Sequence, residues 1–92
     1  MNILIIGASS PMAIRASEAL KELNFNIYSI SSKLKSKSRV LNINLLRKLN
    51  NKDIKIKISS FNVKKFHIVL IFSTLGLDHS YEMNLLKKNI NI

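Results

Sequence analysis

The chain has no cysteine and no tryptophan, and its 92 residues include only two glycines, one proline and five acidic residues. Without cysteine, neither a disulfide framework nor a thiolate metal site can form. The two histidines, His67 and His79, lack a third ligand at a suitable spacing, so we expect both to be structural or solvent-facing. The apolar run from Ile3 to Ile6 is too short to span a membrane and lacks the basic start of a signal peptide. These absences favour a cytoplasmic chain with neither a metal site nor a membrane segment.

The scarcity of acidic residues leaves a formal net charge of +10, because 15 lysines and arginines are present. A charge of this size suggests attraction to nucleic acid or to an anionic surface. The basic residues are scattered along the sequence, without helix-turn-helix spacing, zinc ligands or an interleaved aromatic platform. An AT-rich coding sequence would produce the same abundance of Ile, Lys and Asn. We therefore expect no specific nucleic-acid site and keep basic nucleic-acid binding as an alternative function.

The beginning of the chain has the pattern of a strand, a tight turn and a helix. The continuous apolar run from Ile3 to Ile6 predicts a strand buried on both faces, as in a parallel sheet. Gly7 permits a tight turn, and the backbone N–H groups that open the next helix form a site for an anion such as a pyrophosphate. Pro11 suits the first helical turn, with Ser9 or Ser10 as the N-cap. The same unit also opens α/β proteins that bind nothing at this turn, so the purely structural interpretation stays open.

This opening resembles that of the short-chain dehydrogenase/reductase family, whose first strand is followed by Thr-Gly-x-x-x-Gly-x-Gly. Gly7 matches the first glycine of that motif, Pro11 and Ala13 occupy the other two glycine positions, and Ile6 replaces the threonine. The resemblance implies an NAD(P)-binding Rossmann-like fold and a cofactor site at this turn. The residues that it places in the site are Gly7, Ala8, Ser9, Ser10 and Met12.

The elements that follow agree with that family's order. Apolar and small residues from Ala13 to Leu23 recur at helical spacing and predict an amphipathic first helix, which Asn24 ends. Phe25 to Ile30 alternates as a second strand. In dinucleotide folds the end of this strand carries an acidic residue for the ribose hydroxyls or a basic residue for a 2′-phosphate.

The residues at the end of the second predicted strand are serines and a lysine, and no acidic residue lies between Glu22 and Asp53. This pattern favours NADP over NAD as the cofactor. A solvated loop is the alternative interpretation. The site residues expected here are Ser31, Ser32 and Lys33.

The third strand has two candidate segments. Residues 40–45 suit a short strand that leads to a helical turn with Leu46 and Leu49, whereas Ile54 to Ile58 alternates with lysines at strict period two. The lysine face of the second segment favours an edge strand. If the first segment forms the strand, Asn42 or Asn44 corresponds to the position where the family has an acidic residue by the adenine.

Phe66 to Phe72 is a second apolar run, which we expect to be buried, and it resembles the family's fourth strand. The family continues with Asn-Asn-Ala-Gly beside the cofactor, and the chain has Ser73, Thr74 and Gly76 among the corresponding positions. Asp78 or Ser80 suits the cap of a further helix, which contains residues 81–90. Asn89 lies where the family has an asparagine of its proton relay, and it is the candidate catalytic residue.

The family's catalytic tyrosine and lysine, spaced four residues apart, have no counterpart, because Ser32 and Leu85 follow Tyr28 and Tyr81 at that spacing. We therefore expect no catalysis by these residues alone. The expected fold is α/β, a partial Rossmann-like doubly wound parallel sheet with strand order 3-2-1-4. It is a single incomplete domain over residues 1–92, truncated after the fourth strand and its following helix.

The fourth strand of such a sheet is an open edge, and we expect a second copy or a complementary chain to cover it. The predicted function is the dinucleotide-binding N-terminal region of a short-chain dehydrogenase-like oxidoreductase. A non-catalytic module with the same fold, which senses a nucleotide or contacts a protein, is the alternative.

Overall fold

The fold is one parallel sheet with helices on both faces. The structure is a computed structural model and describes residues 1–72 and 80–90. The strands lie in the order β3-β2-β1-β4, as predicted. In these residues, no helix is long and apolar enough to cross a membrane. The elements are β1 (Asn2–Ile6), α1 (Pro11–Glu22), β2 (Asn26–Ser31), β3 (Val40–Asn42), α2 (Ile43–Leu46), α3 (Asn51–Ser59), β4 (Ile68–Ile71) and α4 (Ser80–Asn89).

Strand β1 is buried on both faces, which confirms the prediction from its continuous apolar run. Ile3 to Ile6 are each at most 4% exposed. Leu4 and Ile6 belong to one hydrophobic cluster and Ile3 and Ile5 to another, because successive side chains of a strand point to opposite faces. Each face of the sheet therefore has its own core.

Helix α1 covers the smaller of the two cores. The hydroxyl of Ser10 accepts a hydrogen bond from the Ala13 N–H at 3.2 Å, and Pro11 is the first helical residue. Buried Ala13 allows the helix to approach β1 closely, and Leu20 packs against the same cluster. The helix ends before Asn24, whose φ of 64° is the left-handed conformation that asparagine tolerates. The predicted amphipathic helix, its Ser10 cap and its end are confirmed.

Strand β3 is formed by the first of the two candidate segments and is only three residues long. It runs parallel to the last residues of β2, with Ser29 opposite Val40 and Ser31 opposite Asn42. Residues 32–39 connect the end of β2 to the start of β3 without the helix that parallel strands usually need. This short link is sufficient because only three residues of each strand pair. Ile43 and Leu45, which the sequence interpretation also placed in this strand, lie in α2 instead, because the side chain of Asn42 caps a helix there.

The prediction that Ile54 to Ile58 could form an edge strand is wrong, since this segment lies in α3. The side chain of Asn50 accepts a hydrogen bond from the Asp53 N–H at 2.9 Å and opens the helix. Ile54 and Ile58 are one helical turn apart and are buried, whereas Ile56 is 58% exposed. Only two of the three alternating isoleucines are therefore core residues, and the lysines lie on helical flanks.

The larger core lies on the opposite face from α1, beneath α2, α3 and α4. Three aromatic rings meet there edge to face, with centroid distances of 5.2 Å from Tyr28 to Phe61 and 5.6 Å from Tyr28 to Phe66. Leu85 and Leu86 of α4 are buried in the same cluster. The helices of the second half of the chain thus share one apolar layer.

Strand β4 is shorter than the predicted Phe66 to Phe72, because Phe66 turns into the larger core and is 3% exposed. His67 precedes the strand and has a structural contact, as its Nδ1 accepts a hydrogen bond from the Asn2 N–H at 3.0 Å. Ile68 and Ile71 are 40% and 39% exposed, which corrects the expectation that Ile68 is buried. Among the described strands β4 pairs only with β1, so it is an edge of this sheet.

The exposed edge leads to a prediction about self-association. If two copies of the chain pair through this edge, Ile68→Lys should weaken their association about tenfold, because the substitution would bring like charges together. Ile14→Lys is the matched control, since Ile14 is 45% exposed on α1 and away from the edge. Sedimentation velocity over a concentration series measures both variants. Equal effects of the two substitutions would contradict pairing through β4.

Candidate functional site

The turn after β1 requires glycine for a reason within the fold. Gly7 has a φ of +79°, which disfavours any residue with a side chain. A Cβ at this position would overlap the carbonyl oxygen of Phe72 and lie 2.8 Å from its carbonyl carbon. Gly7 therefore lets the end of β4 approach the end of β1, whether or not a ligand binds there.

Most backbone donors of this turn are already used. The N–H groups of Gly7 and Ala8 donate to the carbonyl oxygen of Ile30 at 2.8 and 3.4 Å, and the Ser10 N–H donates to Gly7 at 3.3 Å. Proline at the next position has no N–H to offer. The N–H groups of Ser9 and Met12 are left without an acceptor among the described residues. The turn thus offers two backbone donors, strengthened by the positive end of the α1 dipole.

The turn lies where the order of the strands reverses, between β1 and β4. β1 is flanked by β2 and β4, with α1 packed on one face of the sheet and α4 on the other. The Phe72 N–H donates to the Ile6 carbonyl oxygen at 2.8 Å, so the carboxyl ends of β1 and β4 are adjacent. In open α/β sheets the crevice at such a switch point is where ligands bind. The predicted site residues Ser73, Thr74 and Gly76, which follow β4, lie outside the described residues.

The predicted residues at the end of β2 differ in their availability to a ligand. Ser31 is 1% exposed, and its hydroxyl accepts a hydrogen bond from the Lys33 N–H at 3.3 Å, so this side chain is structural. Ser32 and Lys33 are exposed. Ile30 of β2 lies opposite Ile6 of β1. Ser32 and Lys33 therefore follow β2 at the same edge of the sheet at which the glycine turn follows β1.

The amides of Asn42 and Asn44 fix this loop. Each donates to the carbonyl oxygen of Ser32 at 3.3 Å, and Asn42 also donates to that of Leu34 at 2.9 Å. The Oδ1 of Asn42 accepts from the N–H groups of Asn44 and Leu45 at 2.9 and 3.2 Å. These contacts give both asparagines a structural role. They also hold Ser32 and Lys33 at the edge of the sheet.

The charge near the end of β2 is positive. Lys33, Lys35 and Lys37 are exposed, and no acidic residue occurs between Glu22 and Asp53 in the sequence. Arg39 lies elsewhere, because its guanidinium carbon is 5.2 Å from the centroid of the buried Tyr28 ring, a cation–π contact over the middle of the strand. Lys33 is thus the basic residue closest in sequence to the strand end.

Asn89 lies apart from the other predicted site residues. It lines a shallow cleft of about 200 Å³ between α3 and α4, which contains no residue of the glycine turn. The structure therefore brings together the glycine turn and the end of β2 but places Asn89 in a different surface. Sequence reasoning did not identify this cleft, whose other lining residues are Asn51, Ile54, Asn84, Leu85 and Lys88. The sequence signal for this cleft is that Asn84 and Lys88 are four residues apart, which places both on one side of a helix.

Comparisons with known proteins identify no relative of this chain. No family model matches it, and no curated protein and no solved structure has significant similarity to it. The assignment of a function therefore depends on the geometry of the chain's own residues.

Proposed function

We propose that the chain binds a dinucleotide at the carboxyl ends of β1 and β2, with NADP(H) preferred over NAD(H). The observation that supports this proposal is a glycine turn at the switch point of a parallel sheet, with two backbone N–H groups that have no acceptor among the described residues and an exposed lysine after the adjacent strand β2. Each component has a specific use for such a ligand. Together they form the part of the described surface that best suits an extended anion with two separate phosphate groups, a diphosphate and a 2′-phosphate.

The diphosphate is the group that the glycine turn would hold. The Met12 N–H lies in the first turn of α1 and the Ser9 N–H just before the Ser10 cap. Phosphate oxygens at a helix N-terminus accept from such donors while the helix dipole stabilises their charge. The side chain of Met12 is 70% exposed and is available to contact a bound ligand. With only two donors free, we expect micromolar rather than nanomolar affinity from this turn.

The adenosine end of the ligand would extend over the end of β2. There the hydroxyl of Ser32 and the ammonium of Lys33 suit a 2′-phosphate, because a charged donor stabilises a dianion more than it stabilises a ribose hydroxyl. The absence of a nearby carboxylate removes the group that usually binds the ribose of NAD. The preference for NADP(H) follows from these two features.

We also propose that this region belongs to a short-chain dehydrogenase-like oxidoreductase, on the resemblance of the first strand and its turn. When bound, the cofactor supplies a hydride for transfer. Neither Tyr28 nor Tyr81 has a lysine four residues later, and Tyr28 is buried in the aromatic cluster. The function proposed for these 92 residues is therefore cofactor binding and not reduction of a substrate.

Isothermal titration with NADP⁺ and NAD⁺ tests the proposal. We expect Lys33→Gln to weaken NADP⁺ binding about tenfold and NAD⁺ binding less than about twofold, because an exposed charged hydrogen bond contributes about 1.5 kcal/mol. Lys21→Gln, which makes the same change on exposed α1, is the matched control and should leave both affinities unchanged. Absence of saturable binding in a folded sample would refute the dinucleotide site. Equal losses for the two cofactors would refute the role of Lys33.

A further inference from the structure

The net charge of the chain is located away from α1. This helix has two basic and two acidic residues, Arg15, Lys21, Glu18 and Glu22, which cancel. The whole formal charge of +10 therefore comes from the rest of the chain. Basic residues that are scattered in the sequence are thus unequally distributed over the two faces of the sheet.

The helices on the opposite face from α1 form a strongly basic surface. We call it the α3–α4 surface and define it by its exposed lysines Lys52, Lys55, Lys57, Lys87 and Lys88. The acidic residues described on the same helices are Asp53 and Glu82, and Glu82 forms an ion pair with Arg47 at 2.9 Å. Glu82 is therefore already paired, and the positive charge of the five lysines is largely uncompensated.

The shallow cleft between α3 and α4 gives this surface a specific shape. Asn51, Asn84, Asn89 and Lys88 are among the residues that line it. The exposed Lys55 follows Asn51 by one helical turn and therefore lies on the same side of α3. Amide and ammonium N–H groups are donors that bind phosphate oxygens.

We propose that the α3–α4 surface binds the phosphodiester backbone of duplex nucleic acid without reading its sequence. Neutralisation of several phosphates by lysines is sufficient for such binding, because it releases condensed counterions. Base stacking on a single strand needs exposed aromatic rings, whereas the aromatic side chains described on this side of the sheet, Tyr28, Phe61 and Phe66, are buried. The duplex backbone is thus the partner that fits.

An anionic membrane is a poorer match for the same surface. Insertion into a membrane interface needs a continuous apolar face beside the basic residues. On the described parts of α3 and α4, the exposed large apolar side chains are Ile56 and Met83, one on each helix. Lys55 and Lys57 flank Ile56 in the sequence. Four of the six residues that line the cleft are polar, and its two apolar residues, Ile54 and Leu85, are buried. The charge is therefore arranged for contact with phosphates and not for insertion.

Fluorescence anisotropy with a labelled 20-base-pair DNA duplex tests the proposal through two double variants of equal charge. Lys55→Gln with Lys88→Gln changes the α3–α4 surface at one residue of the cleft and one exposed residue of α3, and Arg15→Gln with Lys21→Gln changes exposed positions on α1. Both lower the net charge by two. We expect the first pair to weaken binding about tenfold and to reduce the slope of log K against log salt by about two, since two phosphate contacts are lost. The second pair should change the affinity less than about twofold.

Several outcomes would overturn the proposal. Equal losses in the two double variants would show that net charge, and not this surface, attracts the duplex. Tighter binding of a single strand of the same length would show that bases are contacted. Binding to phosphatidylserine vesicles that exceeds binding to the duplex would identify a membrane surface instead. Circular dichroism measures whether each variant is folded. We expect all of them to be folded, because the four substituted residues are exposed.

Discussion

Gly7→Ala is expected to lower the free energy of unfolding by about 4 kcal/mol or more, which places it among the largest effects of single substitutions. A left-handed backbone costs a residue with a Cβ about 1–2 kcal/mol. The remainder comes from the overlap between that Cβ and the carbonyl group of Phe72, because both are fixed by the pairing of β4 with β1. Urea unfolding followed by circular dichroism measures the change.

Ser9→Ala is the control for this prediction, since Ser9 lies in the same turn and its side chain forms no hydrogen bond with the described residues. It should change stability by less than about 0.5 kcal/mol. A Gly7→Ala variant as stable as the natural chain would mean that the end of β4 does not approach the turn. Because the substitution perturbs the fold, loss of ligand binding in Gly7 variants would not by itself identify a phosphate site.

Asn42→Ala should lower the free energy of unfolding by about 2 kcal/mol, from the loss of a helix cap and of hydrogen bonds worth about 1 kcal/mol each. The side chain of Asn42 caps α2 through Oδ1 and holds the loop after β2 through Nδ2. Few of the described side chains have so many hydrogen-bond partners. Thermal unfolding monitored by circular dichroism tests the effect.

Two further variants separate the roles of Asn42. Asn42→Asp keeps the oxygen that caps α2 but cannot donate to Ser32 and Leu34, so it should show about half of the loss. Asn44→Ala removes one exposed hydrogen bond and should cost less than about 1 kcal/mol. Equal stability of Asn42→Ala and the natural chain would contradict the hydrogen-bond network described for this loop.

The elements predicted best were those whose local signals agree with one another. The run from Ile3 to Ile6 has the continuous apolar character of a central strand, and the sheet buries it on both sides. Ser10 followed by Pro11 combines two independent preferences for a helix start, and both are realised. Such agreement leaves little for tertiary contacts to change.

The segment around Ile56 could not be assigned from its period alone. Ile54 and Ile58 are two residues from Ile56 but four from each other, so a strand and a helix both place this pair on one face. The difference is Ile56, which a strand would bury and the helix exposes. Asn50, with Asp53 three residues later, was the local sign of a helix start.

The sequence predicted which segments meet at the carboxyl edge of the sheet, but not the surroundings of each side chain. The turn and the end of β2 meet because parallel strands end at the same edge, and this follows from the strand order. That Ser31 is buried follows from its pairing with Asn42 in β3, which depends on a short strand that the sequence left open. The cleft between α3 and α4 could not be foreseen, because a segment interpreted as a possible strand forms one of its walls.

The most direct test of the proposed dinucleotide site is a titration of the ¹⁵N-labelled chain with NADP⁺, followed by amide NMR. We expect saturable shifts of the Ser9, Met12 and Lys33 amides, which Ser9→Asp abolishes because its carboxylate repels the diphosphate and which the neutral Ser9→Asn retains. Shifts confined to the α3–α4 surface, with the amides of the glycine turn unmoved, would contradict the proposal and show that NADP⁺ binds only as an anion.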